Sequence, residues 1–247
     1  MRITVLGGCG AWPAAGQACS GYLVEHDGFR LLIDPGYATT PRLLEHVTAC
    51  DVSAVFISHG HPDHCADLNP LLRARALRDS PPPPLLVYAP PGAVDAVMAL
   101  DRPGTLDEAC TLHEFSAGTS LDIGPFQAET RLLPHWLPNA GVRLAAGGRA
   151  VAYTGDSGPS PLIAELARHA DLLIAEASYA AHVPGDSRRY LSSAQDAGWQ
   201  AAHADASHLV LTHLLPGTDH AAAQAAARTR YDGQLSIAVP GLVLDLG

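Results

Sequence analysis

The chain has 247 residues, 47% of them hydrophobic and 16% charged, a balance that supports a large packed core and excludes disordered, coiled-coil and fibrous classes. Fifteen basic residues, all Arg, stand against 25 acidic ones for a formal charge of -10, which disfavours a nucleic-acid-binding surface. No apolar run approaches the roughly 18 residues of a membrane span, the start MRITVLGGCG lacks the apolar region of a secretory signal, and the five cysteines form no CxxC pair, so a cytoplasmic protein without a disulfide framework is expected.

Strand-type apolar runs are expected at Ile3 to Leu6, Tyr22 to Val24, Phe29 to Ile33, Ala54 to Ile57 and Leu85 to Tyr88, each bounded by Gly, Pro, Asp or His. Helix-like stretches fall between them at Pro41 to Val47, Asn69 to Arg78 and Ala93 to Leu100. Thr111 to Leu133 reads as consecutive strands turning at Gly118 and Gly124, and Val142 to Tyr153 as a hairpin turning at Gly147 and Gly148. Alternation then returns, with helix Pro161 to Arg168, strand Asp171 to Ala175, helix Ala194 to His203, strand Leu209 to Thr212 and helix Asp219 to Arg230. Two short strands near Leu235 to Ala238 and Leu242 to Leu244 close the chain. This succession predicts an α/β fold, a four-layer αββα sandwich of two mixed β-sheets flanked by helices. One domain over 1–247 is expected, because the Pro81 to Pro84 run is too short for a linker and reads as a stiff turn.

The string ISHGHPDHCADL, directly after the run Ala54 to Ile57, holds His59, His61, Asp63 and His64 in an HxHxDH pattern. With 13 His in 247 residues, its chance occurrence is on the order of 0.003, so the pattern is read as chemistry. Side chains at a strand end can project into a crevice, and the spacing directs His59 and His61 to one point and Asp63 and His64 to a second. Neutral imidazole and carboxylate suit zinc and similar divalent ions. Four ligands cannot fill two sites, and further candidates stand at strand ends: His135 after RLLP, Asp156 after AVAYTG and His213 after HLVLT. An aspartate lying between two ions can give one oxygen to each.

These strings together resemble the metallo-β-lactamase superfamily over nearly the whole chain. The resemblance is greatest to its ribonuclease Z branch and the related bacterial cyclic-nucleotide phosphodiesterases, through LGGCGAWP, SGYLV, SHGHPDHCADL, YTGDSG, LLIAEASY and LVLTHLLPG. It implies one zinc on His59, His61 and His135, a second on Asp63, His64 and His213, and Asp156 as the bridge, with Mn2+ or another divalent ion as the alternative metal. It also implies a homodimer, and a role for Asp34 of LLIDPG in orienting a ligand His. Two close divalent ions lower the pKa of a shared water toward neutrality, generate a hydroxide nucleophile and stabilise charge on the attacked phosphoryl or carbonyl oxygen. Asp63 is placed to orient that hydroxide. His64 argues against the superfamily's diiron redox members, which by resemblance place a carboxylate there.

The chain also departs from that branch. Its phosphodiesterases carry a proton-donating His upstream of the last metal His, and the corresponding slot here holds Leu191. Glu176 matches the carboxylate that would support the missing His, and Tyr190 or His182 is the candidate replacement donor. The long arm by which ribonuclease Z grips tRNA has no counterpart, and Arg143, Arg188 and Arg189 are the candidate cations for an anionic substrate. The expected function is a dinuclear zinc hydrolase, phosphodiesterase-like, acting on a small-molecule substrate with Asp63, Tyr190 and Glu176 in catalytic roles. Hydrolysis of a carboxylic ester, thioester or lactone at the same centre is the alternative, and a non-catalytic metal- or ligand-binding protein is a third reading.

Overall fold

Alternation along the strands decides which two surfaces each sheet buries. The computed structural model describes residues 1–247 and holds two seven-stranded sheets. The first sheet contains β1 (Arg2–Gly7), β2 (Gly21–His26), β3 (Phe29–Ile33), β4 (Ala54–Phe56), β5 (Leu85–Ala89), β6 (Cys110–Glu114) and, on its edge beside β1, β14 (Val243–Asp245). The second contains β7 (Ser120–Ile123), β8 (Phe126–Leu133), β9 (Asn139–Ala146), β10 (Arg149–Tyr153), β11 (Leu172–Glu176), β12 (His208–Thr212) and β13 (Gln234–Ile237). β3 to β6 run parallel to one another, as do β10 to β13, and the remaining neighbours are antiparallel.

Odd and even residues of each strand enter different cores. Leu31, Ile33, Ala54 and Phe56 of the first sheet meet Val142, Leu144, Val151, Tyr153 and Ile174 of the second in the layer between the sheets. The intervening Leu32, Val55 and Val87 face outward, where α1 (Thr39–Leu43), α3 (Leu68–Ala76) and α4 (Asp95–Met98) cover them with Leu43, Leu68, Leu72 and Val97. On the far side Leu173, Ala175, Leu209 and Leu211 pack under α6 (Ala194–Ala204) and α7 (His220–Arg228), largely through alanines. Each large side chain buried this way contributes about 1.5–3 kcal/mol.

The αββα layering is therefore as the sequence predicts, and the differences lie at helix ends. The first predicted helix, Pro41 to Val47, is instead α1 at Thr39–Leu43, with Pro41 in the first turn where a missing N–H costs little. Capping sets the starts of the later helices. Ser160 caps α5 (Pro161–Leu166), Ser193 caps α6 in a reciprocal box with Asp196, and Asp219 caps α7. No helix is long and apolar enough to cross a membrane.

Candidate metal centre

The chain leaves β3, β4, β8, β10, β11 and β12 at the same edge of the sandwich, and the residues just beyond those strands meet there. Carboxyl ends of parallel strands are a natural crevice because the connections diverge from them. After β4 the backbone bends at Ser58 and Gly60 and is extended at His61, and Pro62 starts the single-turn helix α2 (Pro62–Cys65) that carries Asp63 and His64. Asp34 and His213 hold the left-handed conformation at φ 47° and 58°, which a β-carbon makes unfavourable by roughly 1–2 kcal/mol. Glycine is required where backbone passes closest: a Cβ at Gly36 would collide with the Asp63 carbonyl, and one at Gly10 would lie 2.8 Å from His213 Nδ1.

Seven side chains form two groups that share Asp156. In the first, His59 Nε2 and His135 Nε2 each lie 3.0 Å from His61 Nδ1, and Asp156 Oδ2 is 3.8 Å from both of those Nε2 atoms. In the second, His213 Nε2 is 3.1 Å from Asp63 Oδ2 and from Asp156 Oδ2, while His64 Nε2 is 3.1 Å from Asp156 Oδ1. The edge of a tetrahedral zinc shell is roughly 3.3 Å, so these spacings bracket what such an ion needs. His64 Nε2 and Asp156 Oδ1 are buried without any hydrogen-bond partner, a condition that normally costs about 1–3 kcal/mol per group and that a bound cation removes. The donor set fits divalent metal.

The far nitrogens explain why the inner ones are free. Ser58 Oγ donates to Asp34 Oδ2 at 2.5 Å, so His59 Nδ1–H must donate to Ser58 Oγ at 3.0 Å. His64 Nδ1–H donates to Asp34 Oδ2 at 2.8 Å, and His135 Nδ1–H to the Tyr190 carbonyl at 3.0 Å. Ser178 Oγ donates to Glu176 Oε1, which leaves His213 Nδ1–H to donate to Ser178 at 2.9 Å. Four imidazoles thus carry their proton outward and present Nε2 as a lone pair. His61 alone turns Nδ1 inward. Burial lowers the pKa of His59, His61 and His135 and keeps them in the neutral, ligating form.

A family model of the beta-lactamase superfamily domain matches residues 29–214. The chain belongs to that superfamily. It is similar to the probable metallo-hydrolase YhfI of Bacillus subtilis, 31% identical over 98% of this chain and 99% of that protein. The crystal structure of YhfI, described as a metallo-beta-lactamase fold protein, superposes with a TM-score of 0.90 over 99% of each chain. Ribonuclease Z of Haloferax volcanii is 28% identical across 100% of this chain and 95% of its own. The crystal structure of human short-form tRNase Z, 23% identical, shares the fold with a TM-score of 0.79 over both complete chains.

This superfamily hydrolase has a cavity of about 520 Å³ over its centre, lined by His61, Asp63, His135, Asp156 and His213 together with Ser178, Tyr179 and Leu191. Leu191 therefore faces the site with an apolar side chain. Tyr190 does not line the cavity: its carbonyl holds His135, and its ring lies 5.0 Å from Trp136. His182 is exposed and also outside the lining. Glu176 is buried one step back, accepting from Ser178 Oγ, Ser192 N and Ser157 N. Burial and the charge of Asp156 push it up to about 8. The expectation that Arg143 faces substrate is corrected by strand register: it pairs with Ala152 on the outer face of the sheet and donates to the Leu166 and Arg168 carbonyls. Arg188 and Arg189 are exposed and outside the cavity wall. Sequence reasoning missed Ser58, Tyr153 and Ser178, whose hydroxyls fix the ligand imidazoles; Ser178, two residues past Glu176 in the EASY string, had the one local signal.

Proposed function

We propose that the chain is a dinuclear zinc phosphodiesterase acting on a small-molecule substrate. The observation that carries this reading is the pair of four-donor groups sharing Asp156 at the base of one open cavity. Bound there, two divalent ions would acidify a water and stabilise negative charge on the attacked phosphoryl oxygen. Imidazole and carboxylate donors without a thiolate support zinc, with Mn2+ the nearest alternative. The ribonuclease name of the Haloferax relative supports a phosphodiester bond. The charge of -10 and the absence of Arg from the cavity wall support a small substrate over RNA. Resemblance to the ribonuclease Z branch supports a homodimer and a cytoplasmic location.

Asp63 acts directly on the reaction. Its Oδ2 accepts the Ala11 N–H at 2.9 Å and lies 3.1 Å from the Nε2 lone pair of His213, which leaves Oδ1 to orient the attacking water. Glu176 acts through Ser178, holding the proton of His213 on Nδ1. Tyr190 acts through its carbonyl on His135 in the same way. Leu191 at the wall favours a second reading, hydrolysis of an ester, thioester or lactone, because such leaving groups need less protonation. Metal-reconstituted protein is expected to hold about two divalent ions per chain by elemental analysis and to cleave an aryl phosphodiester faster than an aryl ester. A metal content near zero overturns the dinuclear assignment, preference for the ester selects the second reading, and efficient cleavage of a pre-tRNA overturns the small-substrate assignment.

A further inference from the structure

Two tryptophans stand at the metal cavity with large apolar surfaces turned to solvent. Trp12 is 53% exposed and Trp136 51% exposed, and both line the cavity beside Leu191 and Leu215. The third tryptophan, Trp199, is stacked on His203 of α6 and is not part of the wall. Exposed indoles at random surface positions need no account, but these two are each tied to a different half of the centre.

Trp12 is held by its neighbours on the β1 to β2 connection. Ala11 donates its N–H to Asp63 Oδ2 at 2.9 Å while adopting φ 62°, a conformation that alanine seldom takes. The Trp12 N–H closes a turn onto the Gly10 carbonyl at 2.7 Å, and the Cys9 thiol donates to the Trp12 carbonyl at 3.4 Å. Strained backbone next to a metal ligand thus sets where this indole stands. Trp136 follows the ligand His135 directly, with its ring 5.1 Å from that imidazole and 5.0 Å from the Tyr190 ring, over which the Arg189 guanidinium lies at 5.7 Å. That packing braces the second indole.

The charge around the cavity is equally one-sided. No Arg lines it and the chain has no Lys, so an anionic group finds cationic partners only at the metal centre. Apart from the hydroxyls of Ser178, Tyr179 and Ser187, the rest of the wall is aromatic or aliphatic surface. We propose that Trp12 and Trp136 form an aromatic subsite, and that the substrate joins a planar ring to a single anionic group. This deepens the reading of a small-molecule phosphodiesterase and rests on it only for the bond that is cleaved.

The test uses diphenylphosphinate and dicyclohexylphosphinate, monoanions whose organic groups are attached through P–C bonds, leaving no P–O–C ester to hydrolyse. Affinities are measured by calorimetry on the metal-reconstituted protein, and indole fluorescence is followed in a Trp199→Phe background. Loss of stacking on one aromatic side chain corresponds to about a tenfold loss of affinity. Diphenylphosphinate is expected to bind about tenfold more tightly than its cyclohexyl counterpart and to quench the fluorescence. Trp12→Leu and Trp136→Leu should each remove about tenfold for the aryl probe and little for the other, while Trp12→Phe and Trp136→Phe retain most of the affinity. Metal content and melting temperature, unchanged in these variants, show that the fold persists. Equal affinity for the two probes, no binding of either, or unaltered aryl affinity in both Leu variants overturns the proposal. Conversion of a dimer to a monomer by those variants with probe affinity intact also overturns it, making the indoles subunit contacts. Indole-dependent binding without cleavage of bis(4-nitrophenyl) phosphate would keep the subsite and remove the phosphodiesterase reading; cleavage without indole dependence would do the reverse.

Discussion

Replacing Asp34 with asparagine removes one acceptor from a fully buried cluster in which each carboxylate oxygen is engaged. Oδ1 accepts the Ser58 N–H at 2.7 Å, and Oδ2 accepts Ser58 Oγ at 2.5 Å, Tyr153 OH at 2.8 Å and His64 Nδ1–H at 2.8 Å. In Asp34→Asn the amide keeps the shape but turns one oxygen into a donor. With its nitrogen toward Ser58 N, two donors face each other. With its nitrogen toward His64, the hydroxyls of Ser58 and Tyr153 can rotate, but His64 must accept at Nδ1 and carry its proton on Nε2, the atom aimed at Asp156. Either orientation leaves a buried donor unpaired, which destabilises by roughly 2 kcal/mol and should lower the melting temperature by about 4–8 °C. Metal affinity of the group formed by Asp63, His64, Asp156 and His213 should fall about 10- to 100-fold, as it does when an outer partner of a ligand His is lost. Competition against a chromophoric chelator measures this directly. Affinity within twofold of the unaltered protein would refute the tautomer argument, because His64 would then be ligating without its carboxylate.

Stripping both ions with a chelator should lower the melting temperature by about 11–22 °C, since each ion held at a hundred times its Kd contributes about 2.7 kcal/mol and the His64 Nε2 and Asp156 Oδ1 atoms lose their partner. An unchanged melting curve would show that the centre is not loaded. Leu191→His places an imidazole on the cavity wall near Glu176 and should raise aryl phosphodiester turnover about tenfold with aryl ester turnover unchanged. Adding Glu176→Gln should cancel that gain; a gain that persists would mean the new imidazole is held by something else.

Helix and strand positions were legible wherever apolar periodicity ran into a turn or cap. The runs ending at Ile33, Ile57, Tyr153 and Thr212 appear as β3, β4, β10 and β12, with β4 ending one residue earlier, at Phe56. Boundaries moved where a tertiary contact competed, as at α1, whose Thr40 N–H is taken by the Asp67 carboxylate. The strand-end position of His135, Asp156 and His213, together with the local HxHxDH spacing, was enough to nominate the seven residues that the fold brings within 4.8 Å of one another inside each group.

What the sequence by itself determined is what local spacing encodes: which residue types stand at strand ends, which faces of the strands are apolar, and where helices start. What only the tertiary structure decided depends on side chains distant along the chain. Tyr153 reaches Asp34 across 119 residues, and His213 reaches Asp63 across 150. The Tyr190 carbonyl that holds His135 has no sequence signature, since every residue carries one. Arg143 looked available beside His135 until strand register turned it to the outer face. Trp12 and Trp136 stand 124 residues apart, and only the packing of the two halves of the sandwich sets them at the same cavity. Short-range pattern follows from backbone geometry and can be counted along a chain, whereas these contacts exist only after two sheets have packed and chosen which neighbours meet.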